Sequence, residues 1–349
     1  MKYDEVFTFT NLRNASTKCK RGVRWKPSTQ RYETYETVNV ASLYHKLKNR
    51  TYKSKGFYEF DLCERGRLRH IKSLHITDRV VQKCFCDNCL IPILTKRLIY
   101  DNGACLKNKG ISFARNRFKC HLEKFVRKHN NSGYILLFDF KSYFASIPHD
   151  LLKEKVCKYL DDEELQNLYR QLVDDCGEVG LGLGSQISQI SGTFFLNEID
   201  QFIKHVLKIK FYGRYMDDGY LMHESKEYLH YCKDQLNLLC NKLKIQLNLN
   251  KTKLIKLTRP IPYLKRKYII TSSNKIIITP AKEGVTRTRK RLKKMFKHRF
   301  KLKDIECSLI SYYSTILTTK ANHIIYNLNK LFVRLKGEYY ETSNQKSVF

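Results

Sequence analysis

Gly213-Arg214-Tyr215-Met216-Asp217-Asp218-Gly219-Tyr220 sets two adjacent carboxylates between bulky residues, with Phe211-Tyr212 before and Leu221-Met222 after. The flanks have strand propensity, and Asp tolerates the backbone angles of a tight turn. The stretch therefore predicts a β-hairpin with the Asp pair at its turn. Neighbouring negative charges raise each other's pKa unless a cation compensates. The chain carries 66 Lys+Arg against 33 Asp+Glu, a formal net charge of +33. An acidic pair in so basic a chain is a good seat for a divalent ion, and carboxylate oxygens are ligands that Mg²⁺ accepts.

Upstream, the apolar run Tyr134-Ile135-Leu136-Leu137-Phe138 has the pattern of a buried strand and ends on Asp139. An unpaired acid there is expensive to bury. Asp139 with Asp217 and Asp218 makes a set able to hold two metals roughly 3.5–4 Å apart, which suits phosphoryl transfer. The same residues also fit a plainer arrangement: an ordinary hairpin turn and an ordinary strand-end cap.

At 349 residues the chain is long enough to bury a sizeable core and to form two or three lobes. Its basic excess is the electrostatic footprint of a protein that meets a polyanion. The 23 Tyr and 19 Phe suffice to stack bases as well as fill a core. No apolar run approaches the roughly 20 residues of a spanning helix, and Met1-Lys2-Tyr3-Asp4-Glu5 leads to no apolar signal segment. The expectation is a cytoplasmic chain with no membrane partner. The twelve Cys follow no spacing pattern and read as reduced core thiols. Cys84-Phe85-Cys86-Asp87-Asn88-Cys89 lacks the paired spacing of a zinc knuckle.

Several motifs together resemble a reverse transcriptase. Tyr215-Met216-Asp217-Asp218 matches the YxDD motif of that family. Phe138-Asp139-Phe140-Lys141-Ser142-Tyr143-Phe144 resembles its first catalytic motif, with an aromatic residue five positions after the acid. Leu183-Gly184-Ser185-Gln186-Ile187-Ser188-Gln189 resembles the motif that lines the nucleotide pocket. Arg67-Leu68-Arg69-His70-Ile71 and Asp78-Arg79-Val80-Val81-Gln82 resemble fingers motifs. The LGxxxSQ form of the pocket motif is similar to bacterial, non-retroviral enzymes: those of diversity-generating retroelements and of abortive-infection and other defence systems.

The resemblance implies an α+β right-hand polymerase. Residues 1–132 would be an N-terminal extension and fingers, 133–280 a palm of antiparallel sheet plus helices, and 281–349 a helical thumb and tail. It implies Asp139, Asp217 and Asp218 as catalytic metal ligands for two Mg²⁺ (or Mn²⁺), with the Phe140 carbonyl completing the shell. Arg67 and Arg69, two apart and so on one strand face, would grip the triphosphate. Phe144 would be the steric gate that crowds a ribose 2′-OH. Leu183, Gly184, Ser188 and Gln189 would line the nucleotide pocket. Leu183 stands where many relatives carry Gln, which implies looser nucleotide discrimination. Lys251, in Asn250-Lys251-Thr252-Lys253, would approach the departing pyrophosphate. Nucleic-acid contacts would come from Arg79, Lys109, Arg115, from Lys265 in the primer-grip position usually held by Gly, and from Arg287, Arg291 and Lys294 on a basic thumb helix beginning near Thr286.

Local signals add further expectations. Thr77 or Asp78 caps a helix, a helix runs from Ser188 through Ile203, an amphipathic helix spans 226–244 with Leu229, Cys232, Leu236, Leu239 and Leu243 near 3.6 spacing, and Ile245 to Leu249 is an edge strand. Hairpins form around Gly66 and around Ser273-Asn274-Lys275. The basic cluster around Trp25 is either a solvated face or an extension that touches RNA.

The implied activity is RNA-directed DNA synthesis from dNTPs. The implied partners are an RNA template, a dedicated structured non-coding RNA, the DNA product, and a partner protein or second copy. Antiphage defence is the first biological role and a mutagenic retroelement the second. A catalytically idle RNA-binding protein is the reading from a different class.

Overall fold

The computed structural model describes residues 1–64, 66–182 and 184–344, with side chains for all of these except Glu64, Arg67, Arg69 and 341–344. The N-terminal segment is helical: α1 (Tyr3–Val6), α2 (Phe9–Cys19), α3 (Pro27–Thr34) and α4 (Glu36–Lys48). Thr8 caps α2 by accepting from the Asn11 amide at 3.1 Å. The basic cluster here divides. Lys20 turns inward and its ammonium meets Glu33 and Glu36, at 3.1 and 2.5 Å, while Trp25 stays exposed.

Strands β1 (Phe57–Glu64) and β2 (Arg67–Leu74) form the expected antiparallel hairpin, turning at Gly66 with φ +76°. Helix α5 (Ile76–Phe85) begins after His75, whose side chain makes no capping bond, so Thr77 and Asp78 lie inside the first turn and neither is the cap. Asp78 lies buried in the first turn instead, accepting from the Tyr52 hydroxyl and the Lys55 amide, each at 2.9 Å. Its carboxylate is used to fix the segment leading into β1. A π-helical turn (Cys86–Leu90) and α6 (Ile91–Leu94) follow, with Cys84, Cys86 and Cys89 all buried.

The chain continues through α7 (Ile111–His129), β3 (Tyr134–Phe138), α8 (Tyr143–Ser146), α9 (His149–Cys157), α10 (Glu163–Asp174), α11 (Gln186–Phe195) and α12 (Asn197–Gln201). The single helix expected to Ile203 is thus interrupted at Leu196, which leaves helical geometry. Then come β4 (Phe211–Tyr215), β5 (Asp218–His223) and α13 (Lys226–Lys242). After α13, Ile245 to Leu249 is not a strand: only Leu247 pairs, with Phe140. The Asn248 amide donates to the Asp139 carbonyl at 2.7 Å, and the Lys141 amide to Gln246 at 2.9 Å. These bonds draw the segment to the end of β3, so it cannot form a regular edge.

Contacts group the chain into two compact units that interleave in sequence. The first is Met1–Ala114 with Leu136–Leu254. It holds the first hairpin and the sheet whose order is β4-β5-β3, with β6 (Lys253–Lys256) at the far edge.

The second unit is Arg115–Ile135 with Ile255–Phe349. It contains most of α7, the antiparallel sheet β7 (Ile261–Tyr263), β8 (Arg266–Ile270) and β9 (Ile276–Pro280), and helices α14 (Lys282–Lys297), α15 (Leu302–Ile316) and α16 (Asn322–Asn344). Phe118 of α7 stacks on Tyr263 with centroids 4.4 Å apart. Leu292, Met295, Phe296, Ile305, Leu309 and Leu328 form the helical core. Helix α14 starts four residues before Thr286 and is amphipathic: Val285, Leu292, Met295 and Phe296 are buried, while Arg287, Arg291 and Lys294 are exposed. Among the described residues no helix is long and apolar enough to cross a membrane.

Candidate active site

Strands β4 and β5 pair as a hairpin in which Tyr215 faces Asp218, leaving Met216 and Asp217 as a two-residue turn. The acidic pair therefore straddles the turn's end: Asp217 lies in it and Asp218 opens β5. Met216 has φ +53°, a costly conformation for a side chain of this size. Neighbouring β5 in the sheet is β3. The Phe138 ring occupies the space that any Cβ on Gly219 would need. Only glycine permits this contact. It brings Asp139, which follows Phe138, beside Asp218, which precedes Gly219.

Asp139 is buried, with 2% of its surface exposed. Its carboxylate is bonded to the Lys251 ammonium. Lys251 is held there by the turn after Asn248, whose amide binds the Asp139 carbonyl. The Asp217 carboxyl lies within hydrogen-bonding reach of Asp139. Burial, then the Asp139 charge, pushes the Asp217 pKa up to about 6. Burial, then the charges of Asp217 and Asp139, pushes Asp218 up to about 7, with Lys251 opposing. Asp218 has an open surface, yet the protein packed around it withholds much of its hydration. Hydrogen bonding to Asp139 raises the Lys251 pKa in turn.

These are desolvated, mutually repelling carboxylates with one ammonium among them. That donor set is hard oxygen and short of positive charge, which fits a divalent cation. Among the described residues no group of three or more His, Cys, Asp and Glu side chains stands ready-made around a metal position. Asp139 is engaged by Lys251, so full convergence on a cation requires that ion pair to loosen.

Beside the acids, Phe144 packs its half-buried ring against Gly192 of α11 and edge-on to Tyr143. Its carbonyl accepts from the Leu181 amide at 2.7 Å, and the Gly180 carbonyl binds the His149 ring nitrogen at 2.7 Å. The glycine-containing loop is thereby tied to the segment carrying Phe144. Ser185 caps α11 and donates to Gln82 of α5 at 2.6 Å. Ser188 is buried in the first turn of α11, Gln189 is exposed, and Gly184 takes φ +112°. Leu183 lies outside the described residues, as do the side chains of Arg67 and Arg69. The backbone register does put Arg67 and Arg69 on one face of β2.

Residues 53–268 match the reverse transcriptase (RNA-dependent DNA polymerase) family. The chain belongs to the reverse transcriptase family. Its α+β fold is that of the reverse transcriptases. Telomerase from Candida albicans, solved in complex with a TWJ fragment of telomeric RNA, is a structural neighbour at TM-score 0.51 and 12% identity, covering 88% of this chain and 64% of that one. Apo telomerase from Candida tropicalis gives 0.50 and 13%, covering 90% and 63%. This reverse transcriptase family member thus spans less than two thirds of the length of those telomerases, and the likeness is one of fold. No curated protein sequence matches it.

The nucleic-acid residues expected for this reverse transcriptase family chain have varied fates. Arg79 donates to Ser73 of β2 at 2.9 Å and so braces the first hairpin. Lys109 donates to the Tyr100 carbonyl at 2.6 Å and sits over the Tyr100 and Phe113 rings. Arg115 is buried, and its Nε and Nη2 both donate to the Leu264 carbonyl, at 3.0 and 2.7 Å. Its guanidinium is spent within the protein, holding the β7–β8 turn. In that turn Leu264 and Lys265 both take positive φ, +44° and +63°, so Lys265 adopts the backbone for which glycine is usual. Arg287, Arg291 and Lys294 remain on the exposed face of α14.

Sequence reading passed over Arg214 and Asp200. Arg214 is 1% exposed and Asp200 fully buried, and they pair through two bonds, at 2.8 and 2.6 Å. A charged residue inside the otherwise uncharged strand Phe211–Tyr215 was the available signal, since such a charge must have a partner.

Proposed function

We propose that the chain is an RNA-directed DNA polymerase that extends a primer on an RNA template. What supports this reading is the proximity of Asp139, Asp217 and Asp218, close enough to raise the pKa values of the last two, in a chain of the reverse transcriptase family. Divalent metal held by these carboxylates supplies charge at the attacking and leaving oxygens of nucleotidyl transfer. The family generally uses such metals.

The chain's own side chains do the rest. Asp139, at the end of β3, and Asp217 with Asp218, at the β4–β5 turn, fix the acidic floor. Lys251 balances its charge and stands where a departing anion can be met. The Phe144 ring, immobilised against Gly192, crowds one side of the nucleotide site and selects the deoxyribose. Arg67 and Arg69 on β2 close over the triphosphate. The exposed basic face of α14 follows the duplex by phosphate contacts, which position without reading sequence. A structured RNA supplied in trans fits the net charge of +33. The LGxxxSQ form of the pocket motif is shared by defence and retroelement enzymes, and we read the setting as bacterial, cytoplasmic antiphage defence because the helix after Gln189 departs from the usual retroelement continuation.

Primer extension decides the reading. Purified protein with Mg²⁺, dNTPs and a primed RNA template is expected to make cDNA, and Asp217→Asn to abolish it. Equal cDNA yield from D217N, or none from the wild type on any primed RNA, would sink the proposal and favour an idle RNA-binding protein.

A further inference from the structure

We infer that Arg214 and Asp200 form a positioning pair that holds the catalytic turn against the nucleotide-pocket helix. The inference rests on the polymerase reading above and extends it to residues outside the acidic triad. Arg214 lies on β4, just before the turn, and Asp200 on α12, just after the pocket helix α11. The guanidinium meets the carboxylate edge to edge, Nε to Oδ1 at 2.8 Å and Nη2 to Oδ2 at 2.6 Å. Its remaining bonds go to two backbone carbonyls. Nη1 donates to Met216 of the turn at 2.7 Å, and Nη2 to Thr193 of α11 at 3.0 Å. The Tyr212 hydroxyl adds a further bond to Asp200.

The main chain of Arg214 is engaged as well. Its amide donates to Asp101 at 3.1 Å, and its carbonyl accepts from Gly103 at 2.9 Å. One residue therefore gathers the turn, the pocket helix, α12 and the segment at 101–103.

Stability alone is a poor reason for this arrangement. A buried ion pair costs desolvation, and apolar replacements are often neutral or stabilising. What apolar side chains cannot supply is the grip on the Met216 carbonyl. Met216 sits at φ +53°, and nothing intrinsic to methionine favours that backbone. The fork of Arg214 fixes the peptide that follows, and with it the direction of Asp217 and Asp218. Lys offers a point charge and no fork, so it does not substitute.

The test compares wild type with Arg214→Lys and with the double variant Arg214→Met/Asp200→Leu. It follows single-nucleotide extension (kcat and KM for dNTP), Mn²⁺ binding by electron paramagnetic resonance, metal-free primer–template binding, and thermal melting. Both variants are expected to lose kcat by about 10–100-fold and to bind Mn²⁺ more weakly. KM and metal-free primer–template binding should stay near wild type. A folded variant with wild-type kcat and Mn²⁺ affinity overturns the inference, as does loss of kcat that only follows loss of folded protein.

Should the double variant not fold, Arg214→Lys is repeated in a Met216→Gly background. Glycine accepts positive φ freely, so the same substitution is expected to cost less there, and an equal cost overturns the inference. Failure of the wild type to extend any primer would sink the polymerase reading instead, and Mn²⁺ binding would still test the pair.

Discussion

The ring of Phe138 fills the space in which a side chain on Gly219 would have to lie. The two residues adjoin Asp139 and Asp218, which lie near enough to feel each other's charge. Gly219→Ala therefore forces a methyl group into an aromatic ring, and destabilisation of about 1–3 kcal/mol is expected. Urea unfolding measures it. Adding Phe138→Leu should recover part of the loss, and additive effects of the two substitutions would show that they do not share this contact.

Acid titration should reveal the crowding of the carboxylates. Asp217 and Asp218 titrate at about 6 and about 7 in the fold, above the ~3.9 of an unfolded chain. Folding thus takes up protons at these sites. Their stabilising contribution is complete below the unfolded pKa and is lost as pH rises through the folded values. In metal-free buffer, the melting temperature of wild type relative to D217N/D218N should fall from about pH 5 to about pH 8. Mg²⁺ should restore it most at the upper end. A pH-independent difference between wild type and the double variant would refute the assignment.

The Lys251 ammonium is paired with Asp139, where on the proposed function it would compete with a bound metal. Lys251→Met removes the competitor and leaves the floor more negative, so Mn²⁺ should bind more tightly while extension slows. Isothermal titration and single-turnover extension separate the two effects. Weaker metal binding in the variant would mean that Lys251 helps build the metal site and does not occupy it.

Phe144 is held against Gly192 and edge-on to Tyr143. Phe144→Ala should lower the preference for dNTP over rNTP by about 10–200-fold, the range available to a steric contact of this kind. Competitive incorporation on one template reports it. Unchanged preference would take the gate away from Phe144.

Much of the fold was legible. The alternation at Phe57–Leu74 and the flanks of the acidic pair each specified a hairpin, while the apolar spacing over 226–244 and the basic run from Thr286 pointed to the helices α13 and α14. Boundaries that depend on distant partners were not. Asp78 looked like a helix cap because capping is its commonest local use, but Tyr52 and Lys55 claim its carboxylate. Ile245–Leu249 has strand composition, but its bonds run to the residues around Asp139. Arg115 looked like a phosphate contact, as any Arg on a basic helix does, until its distance to the Leu264 carbonyl was known.

Residue order alone fixed the chemical identity of the acids, their hairpin setting and the chain's positive charge, because these follow from local propensity and composition. The mutual placement of the acids came only with tertiary structure, through the approach of β3 to Gly219 and the capture of Asp139 by Lys251. So did the Arg214–Asp200 pair, whose members lie on separate elements. Burial and through-space charge depend on what packs nearby, and no sequence window contains that information.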